Sequence, residues 1–206
     1  TNDFGPDNQI DYCREMMVRV YYPIQSSQNL PYSNYYPPAI TTYQNAISAA
    51  NIPGITQSQI DELGNIQTFT FDFTNKNSNI VNTTFPVIIF SPGFGNNNVG
   101  FSGDAQEYEN IITDMVSHGY IVLAINNTFL ANIQFPYGLT PIIDTSISGI
   151  LIPEQSILND ILFTKQTLLS QSDTFLPAFK NHMQLNHVGL LGHSISGYSV
   201  VQAVRT

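Results

Sequence analysis

Gly192-His193-Ser194-Ile195-Ser196-Gly197 is the stretch that decides the fold, because it joins a strand-like segment to a helix-like one. Residues 187–191 (HVGLL) predict a short buried strand, and residues 197–204 (GYSVVQAV) predict the helix that follows. A serine on such a sharp turn projects its hydroxyl above the sheet, beside backbone N–H groups at the helix N-terminus. We therefore predict that Ser194 is a nucleophile and that the Ile195 N–H stabilises an oxyanion.

The residues around this serine depart from the usual pattern at one position. The pattern is G-x-S-x-G, and here Ser196 stands where the second glycine is expected, with Gly197 one place later. Small residues are needed because the turn is strained and the helix passes close to the strand. Serine is small enough to be tolerated there. The alternative interpretation is an ordinary Gly/Ser turn without chemistry.

A second candidate element lies about a hundred residues upstream. Residues 85–90 (FPVIIF) are continuously apolar, as expected of a strand covered on both faces. They lead into residues 91–96 (SPGFGN), a glycine-rich loop whose backbone can approach a ligand closely. We predict that the Phe94 N–H is the second oxyanion donor, paired with that of Ile195. An ordinary strand-to-helix turn is the alternative.

The remaining segments predict an α/β fold with a mixed, mostly parallel sheet flanked by helices. We expect residues 1–206 to be the N-terminal part of a single domain, with a polar insertion at about 24–64 between the first two strands. That insertion is expected to hold two short helices within residues 39–64. The other predicted strands cover residues 16–22, Phe69 to Phe73 and residues 120–125, and the other predicted helices cover about 105–117 and 154–169.

Residues 126–152 are expected to form a long aromatic loop near the predicted nucleophile. Phe129, Phe135 and Tyr137 are the candidates for the wall of a substrate pocket. The same aromatic side chains would equally suit packing over the sheet, and the sequence does not decide between the two interpretations.

Four segments in this order resemble the α/β-hydrolase superfamily: residues 18–23 (VRVYYP), residues 85–95, residues 114–120 (DMVSHGY) and the serine turn. They are similar to plasma-type platelet-activating-factor acetylhydrolases, and residues 91–94 (SPGF) also resemble cutinase-like polyester hydrolases. The resemblance implies a serine esterase that cleaves short or truncated acyl esters, including phospholipid sn-2 esters. A lipase or polyester hydrolase is one alternative. A non-catalytic binding module of the same fold is another.

The acid and the base that the resemblance implies have no counterpart in this sequence. Hydrolases of this fold place the nucleophile first, then the acid, then the histidine. Only twelve residues follow Ser194, and none of them is Asp, Glu or His. We expect the chain to be the N-terminal part of a larger hydrolase, whose remainder supplies further strands, the Asp and the His, either as a continuation or as a second chain. We do not expect the base to be any of the four histidines, His118, His182, His187 and His193.

The amino-acid composition indicates which kinds of molecule the protein binds. The net charge of −9, with only six Lys and Arg residues, argues against binding to nucleic acid or to anionic membrane surfaces. No segment is apolar and long enough to predict a transmembrane helix. No metal-ligand cluster and no cofactor motif is present, so an ester or lipid substrate is the expected small-molecule partner. The resemblance favours export, and we expect a secreted or periplasmic protein in its mature form without a signal peptide.

Overall fold

A four-stranded mixed sheet forms the centre of the fold. The computed structural model describes residues 15–25, 31–34, 53–71, 80–95, 103–128, 130–131, 133–135, 138–140 and 153–206. Within them the strands are β1 (Met17–Tyr21), β2 (Tyr32–Asn34), β3 (Gln67–Phe71), β4 (Phe85–Ser91), β5 (Ile121–Asn126), β6 (Ile133–Phe135), β7 (Gly138–Thr140) and β8 (Met183–Gly192). The central sheet has the order β1-β5-β4-β8, and the described part of β8 has a neighbour on one side only.

Helices follow the strands of this sheet, as expected of an α/β fold. The described α-helices are α1 (Gln57–Glu62), α2 (Glu109–Ser117), α3 (Pro153–Phe175) and α4 (Ile195–Arg205). Short 3₁₀ turns cover Leu63–Asn65, Ala105–Tyr108 and Pro177–Phe179. The predicted α/β class, with a mixed sheet and flanking helices, is confirmed.

The pairing of the strands brings the predicted functional segments to one edge of the sheet. Strand β4 runs parallel to both β5 and β8, with Ser91 opposite Gly192 at its carboxyl end. Strand β1 is antiparallel to β5, with Met17 opposite Asn126. Because the carboxyl ends of parallel strands meet at the same edge, the loop after β4 and the turn after β8 become neighbours.

Strand β5 shows why the central strands are continuously apolar. All six of its residues are buried, because both of its faces are covered. Its odd-numbered residues pack with side chains of α3 and with Ala203 of α4, whereas Val122 and Ala124 pack with Tyr108 and with Ile112 of α2. Two helices therefore cover one face of the sheet and α2 covers the other.

Several elements differ from their predicted form. Strand β3 pairs with β2 in a separate two-stranded sheet, because the polar insertion supplies a partner strand. The segment predicted as one long loop contains the antiparallel pair β6–β7, whose three-residue strands are too short to give a clear periodic signal. Residues 105–108 form a 3₁₀ turn before α2 begins. The first predicted helix of the insertion and Phe73 lie outside the described residues.

Candidate active site

Ser194 lies on the turn between β8 and α4 and has an unusual backbone conformation. Its φ of 55° and ψ of −126° make it the only non-glycine residue with positive φ among those the structure describes. A residue with a Cβ atom is held there at a cost of about 1–3 kcal/mol, so the surrounding packing must maintain it. The side chain is exposed, at the carboxyl edge of the sheet. This is the backbone arrangement in which strand-to-helix turns present a nucleophile.

The turn leaves no room for a side chain at the end of β8. A Cβ atom built on Gly192 would lie 2.5 Å from the carbonyl oxygen of Ser196, closer than real Cβ atoms come to backbone. One built on Gly197 would lie 3.4 Å from the carbonyl oxygen of Gly192. The close approach of helix to strand therefore requires glycine at position 192, as the sequence pattern indicates.

The glycine-rich loop after β4 lies directly against Ser194. A Cβ atom built on Gly93 would come within 3.4 Å of the Cβ atom of Ser194 and within 3.1 Å of Nδ1 of His193. The backbone N–H of His193 also donates to the carbonyl oxygen of Ser91, at 3.2 Å. The two segments predicted to form the site are thus brought together.

The two predicted oxyanion donors flank this contact. Ile195 is the first residue of α4, so its N–H has no partner within the helix. In the loop, the N–H of Gly95 donates to the carbonyl oxygen of Leu130 at 2.8 Å. No residue in the described ranges accepts a hydrogen bond from the N–H of Phe94 or of Ile195. The roles of Ser194, Phe94 and Ile195 stay predictions that this geometry accommodates.

Tyr108 joins the loop to the turn, a role that the sequence does not predict. Its hydroxyl accepts a hydrogen bond from the N–H of Gly93 at 3.2 Å and lies 2.8 Å from Nδ1 of His193. Burial raises the pKa of the Tyr108 hydroxyl, the bond from Gly93 lowers it, and the charge of Glu107 raises it, with a net increase. The phenol therefore stays protonated and can serve as donor and acceptor at once. Nothing in the sequence around Tyr108 signals this contact.

A buried chain of hydroxyl and amide groups runs beneath the turn. Nδ2 of Asn127 donates to Oγ of Ser91 at 3.1 Å, and Oγ of Ser91 donates to Oγ of Ser196 at 3.1 Å. The Ser196 hydroxyl in turn donates to the carbonyl oxygen of Pro92. All three side chains are buried. The sequence marked only Ser196, as a tolerated departure from glycine.

None of the four histidines contacts the Ser194 hydroxyl. His193 is bound to Tyr108 through Nδ1, and Nδ1 of His118 lies 2.8 Å from the carbonyl oxygen of Asp114. His182 comes directly before β8, and its Nδ1 lies 3.1 Å from the carbonyl oxygen of Thr83. His187 lies in the middle of β8, and its Nδ1 lies 3.1 Å from Oδ1 of the neighbouring Asn186. Across the described part of the chain, no histidine or carboxylate is hydrogen-bonded to Oγ of Ser194.

The predicted pocket wall is only partly described. Phe129 and Tyr137 lie outside the described residues. Phe135 is 5% exposed and packs in a small cluster with Ala131, Ile133 and Met17. Within the ranges that the structure covers, no group of three or more His, Cys, Asp or Glu side chains is placed to hold a metal ion. Nor does any helix there have the length and apolarity to cross a bilayer.

Sheet order and flanking helices define an α/β fold in which Ser194 lies on a strand-to-helix turn. A solved ferulic acid esterase from Streptomyces cinnamoneus matches the chain with a TM-score of 0.68 and 21% sequence identity. The match covers 93% of this chain and 48% of the esterase, so the chain spans about half the length of that protein. No protein-family model and no curated protein matches the chain. The comparison shows the fold, and it does not distinguish acetylhydrolase from polyester hydrolase.

Proposed function

We propose that this chain carries the nucleophile and the oxyanion hole of a serine hydrolase that cleaves carboxylic esters. The observation that carries the proposal is the strained backbone of Ser194, at φ 55°, between β8 and α4. Strain is retained where the structure gains something from it, and an exposed hydroxyl above a sheet is what acyl transfer needs. The fold shared with a ferulic acid esterase supports the same reaction class.

In the proposed reaction, Oγ of Ser194 gives its proton to a histidine nitrogen and attacks the ester carbonyl carbon. The carbonyl oxygen becomes an oxyanion that accepts hydrogen bonds from the N–H groups of Phe94 and Ile195. When the tetrahedral intermediate collapses, the alcohol leaves with the proton from the histidine, and the acyl group stays on Ser194. Water, deprotonated by the same histidine, then releases the acid and restores the serine.

The two amides stabilise the charge that develops during the attack. Loss of one oxyanion donor typically costs about 3–4 kcal/mol of transition-state stabilisation. The Ile195 N–H also lies at the positive end of the α4 dipole, which favours an anion there. Such donors need no reorganisation during the reaction, because the fold orients them beforehand.

We propose that the histidine and its acid partner come from polypeptide that packs beside β8. No described histidine is bound to Ser194, and β8 has a neighbour on one side only within the described sheet. The outer face of α4 is apolar and exposed, at 59% for Tyr198, 51% for Val201 and 68% for Val204. A further strand pairing in parallel with β8 would bring its own carboxyl end to the edge that carries Ser194, and a helix connected to that strand would cover the exposed face of α4.

The proposed substrates are short or truncated acyl esters, with phospholipid sn-2 esters among them. This choice rests on the resemblance of the serine turn and the preceding loop to acetylhydrolases. We propose ferulate esters as a second substrate class, because the chain shares its fold with a ferulic acid esterase. Polyester films and long-chain triglycerides represent the cutinase-like and lipase-like alternatives.

The test is ester hydrolysis by the full-length protein together with any polypeptide that co-purifies with it. p-Nitrophenyl acetate, p-nitrophenyl palmitate, methyl ferulate and a phospholipid with an acetyl group at sn-2 are compared at equal enzyme concentration. We expect the acetyl esters to react fastest, the Ser194→Ala variant to lose the activity, and the exposed-serine control Ser170→Ala to retain it. Hydrolysis unchanged in Ser194→Ala, or absent from the wild-type protein, would contradict the proposal and favour a binding module.

A further inference from the structure

Ser196 occupies a position where the usual turn has glycine, and its hydroxyl both donates and accepts a hydrogen bond. The side chain is 0% exposed, donates to the carbonyl oxygen of Pro92 and accepts from Oγ of Ser91. Ser91 in turn accepts from Nδ2 of Asn127. The three bonds form one chain of donors, from Asn127 after β5 to Ser91 at the end of β4, then to Ser196 in the first turn of α4, and last to the carbonyl of Pro92 in the loop after β4. Each bond in such a chain polarises and strengthens the next.

The acceptor at the end of this chain belongs to the loop that carries Phe94. The carbonyl of Pro92 and the N–H of Gly93 are the two ends of one peptide group. Ser196 holds the carbonyl end, and the hydroxyl of Tyr108 holds the N–H end at 3.2 Å. That peptide group is therefore fixed on both sides in a planar unit that cannot rotate internally.

The peptide group on the far side of Phe94 is fixed as well. The N–H of Gly95 donates to the carbonyl oxygen of Leu130 at 2.8 Å. The Phe94 N–H lies on the peptide group between these two anchored ones. Its direction is then set by the anchors, although Gly93 beside it has the backbone freedom of a residue without a side chain.

Resting on the proposed function, we propose that Ser196 is a positioning residue that sets the direction of the Phe94 N–H toward the oxyanion. The serine replaces the expected glycine because its hydroxyl couples the loop after β4 to the first turn of α4, on which Ser194 also depends. Without that hydroxyl, the Pro92 carbonyl loses its buried donor. The Pro92–Gly93 peptide group can then rotate, and the Phe94 N–H no longer points toward the oxyanion.

Ser199, a second buried serine on α4, is the control for Ser196. It shows what the loss of a buried serine hydroxyl does when that hydroxyl does not contact the loop. Ser199 is also 0% exposed, and its hydroxyl donates to the backbone carbonyl oxygen of Glu154 at 2.9 Å. That bond joins α4 to α3 and does not reach the loop. The same hydroxyl also lies 3.5 Å from the carbonyl oxygen of Ile195, within α4. Ser196→Ala and Ser199→Ala therefore each remove one buried hydroxyl that donates to the backbone.

The experiment compares these two variants, and Ser196→Gly as a second test of position 196, in the full-length protein. Hydrogen exchange of the backbone N–H groups of Gly93, Phe94 and Gly95 is followed by mass spectrometry of the peptide that contains them. We expect exchange at least about tenfold faster in both Ser196 variants and unchanged in Ser199→Ala, since lost anchoring allows local opening. Equal exchange in all variants would overturn the proposal, whatever the activity.

Kinetics on p-nitrophenyl acetate give the second readout. We expect kcat to fall about tenfold in both Ser196 variants with KM within twofold, because a misaligned oxyanion donor weakens only transition-state binding. Affinity for a trifluoromethyl ketone, which forms a tetrahedral adduct with the serine, should fall by the same factor. Equal kcat in Ser196→Ala and Ser199→Ala would overturn the proposal. An inactive wild-type protein would instead contradict the proposed function, and the exchange comparison would still decide whether Ser196 holds the loop.

Discussion

The hydroxyl of Tyr108 lies 2.8 Å from Nδ1 of His193 and thereby joins the start of helix α2 to the residue before Ser194. The same oxygen accepts the N–H of Gly93. One phenol thus bonds to both segments of the candidate site, the loop and the turn. The centroids of the Tyr108 and His193 rings lie 5.4 Å apart, so the two rings also pack against each other.

Tyr108→Phe should therefore weaken the site more than the loss of one hydroxyl on the surface would. The buried N–H of Gly93 loses its acceptor, which costs about 1–3 kcal/mol of unfolding free energy. Ester hydrolysis should fall at the same time, mainly through kcat. Urea denaturation and steady-state kinetics measure the two effects.

Tyr32→Phe is the control for this variant, because Tyr32 is half-exposed and stacks on Phe71 away from the site. It should change neither stability nor kcat. A Tyr108→Phe protein as active and as stable as Tyr32→Phe would show that the bonds to Gly93 and His193 contribute nothing.

Gly192→Ala tests the close approach of α4 to β8. The added Cβ atom would lie 2.5 Å from the carbonyl oxygen of Ser196, so the first turn of the helix has to move. We expect a loss of about 1–3 kcal/mol of stability from this overpacking. Hydrolysis should fall strongly, because Ser194 moves with the turn. Thermal unfolding and ester hydrolysis provide the measurements.

Gly189→Ala, three residues earlier on the same strand, is the matched control. Its added Cβ atom would come no closer than 3.6 Å to Cγ1 of Ile88, an ordinary contact. The change should alter stability by no more than about 0.5 kcal/mol. If the two alanine variants behaved alike, the helix and strand would not be in the contact described for Gly192.

Glu109→Gln tests a buried carboxyl at the start of α2. Burial raises the pKa of Glu109 above its ordinary value of 4.5, against the lowering effects of hydrogen bonds from Thr70 and Thr68 and of the charge of Arg19. A raised carboxyl pKa stabilises the fold fully below pH 4.5, and this contribution is lost as the pH rises through the folded value. Ionised Glu109 therefore costs stability at neutral pH.

The glutamine variant keeps an acceptor for the Thr70 hydroxyl, which lies 2.7 Å from Oε1 of Glu109, and has no charge to bury. Its stability relative to wild type should rise between pH 4.5 and pH 7. Urea denaturation at several pH values gives the comparison. A constant difference between the two proteins across this range would show that the pKa of Glu109 is not raised.

The sequence predicts the elements whose signal is local and misses the contacts between distant ones. Strands β4 and β5 are recognisable because burial on both faces requires an unbroken apolar run. The turn at Ser194 is recognisable because its strain requires small neighbours. Tyr108 and His193, by contrast, are 85 residues apart, and only the sheet order brings them together.

Ser196 shows the same limit within a recognised motif. From the sequence, it is a small residue that a tight turn tolerates. Its hydrogen bonds to Ser91 and Pro92 depend on the parallel pairing of β4 with β8, which places Ser91 opposite Gly192. A motif therefore predicts the space available to a residue better than it predicts the partners.

Labelling with a fluorophosphonate probe shows whether Ser194 is an activated nucleophile. The full-length protein is labelled with all co-purifying polypeptide retained, and intact and peptide mass spectrometry locate the adduct. We expect one adduct per molecule, on Ser194, and no adduct in Ser194→Ala or in heat-unfolded protein. The control is an intact mass that matches the full-length sequence, measured on folded protein. If that protein carries no adduct, or carries the adduct on another residue, Ser194 is not the activated nucleophile.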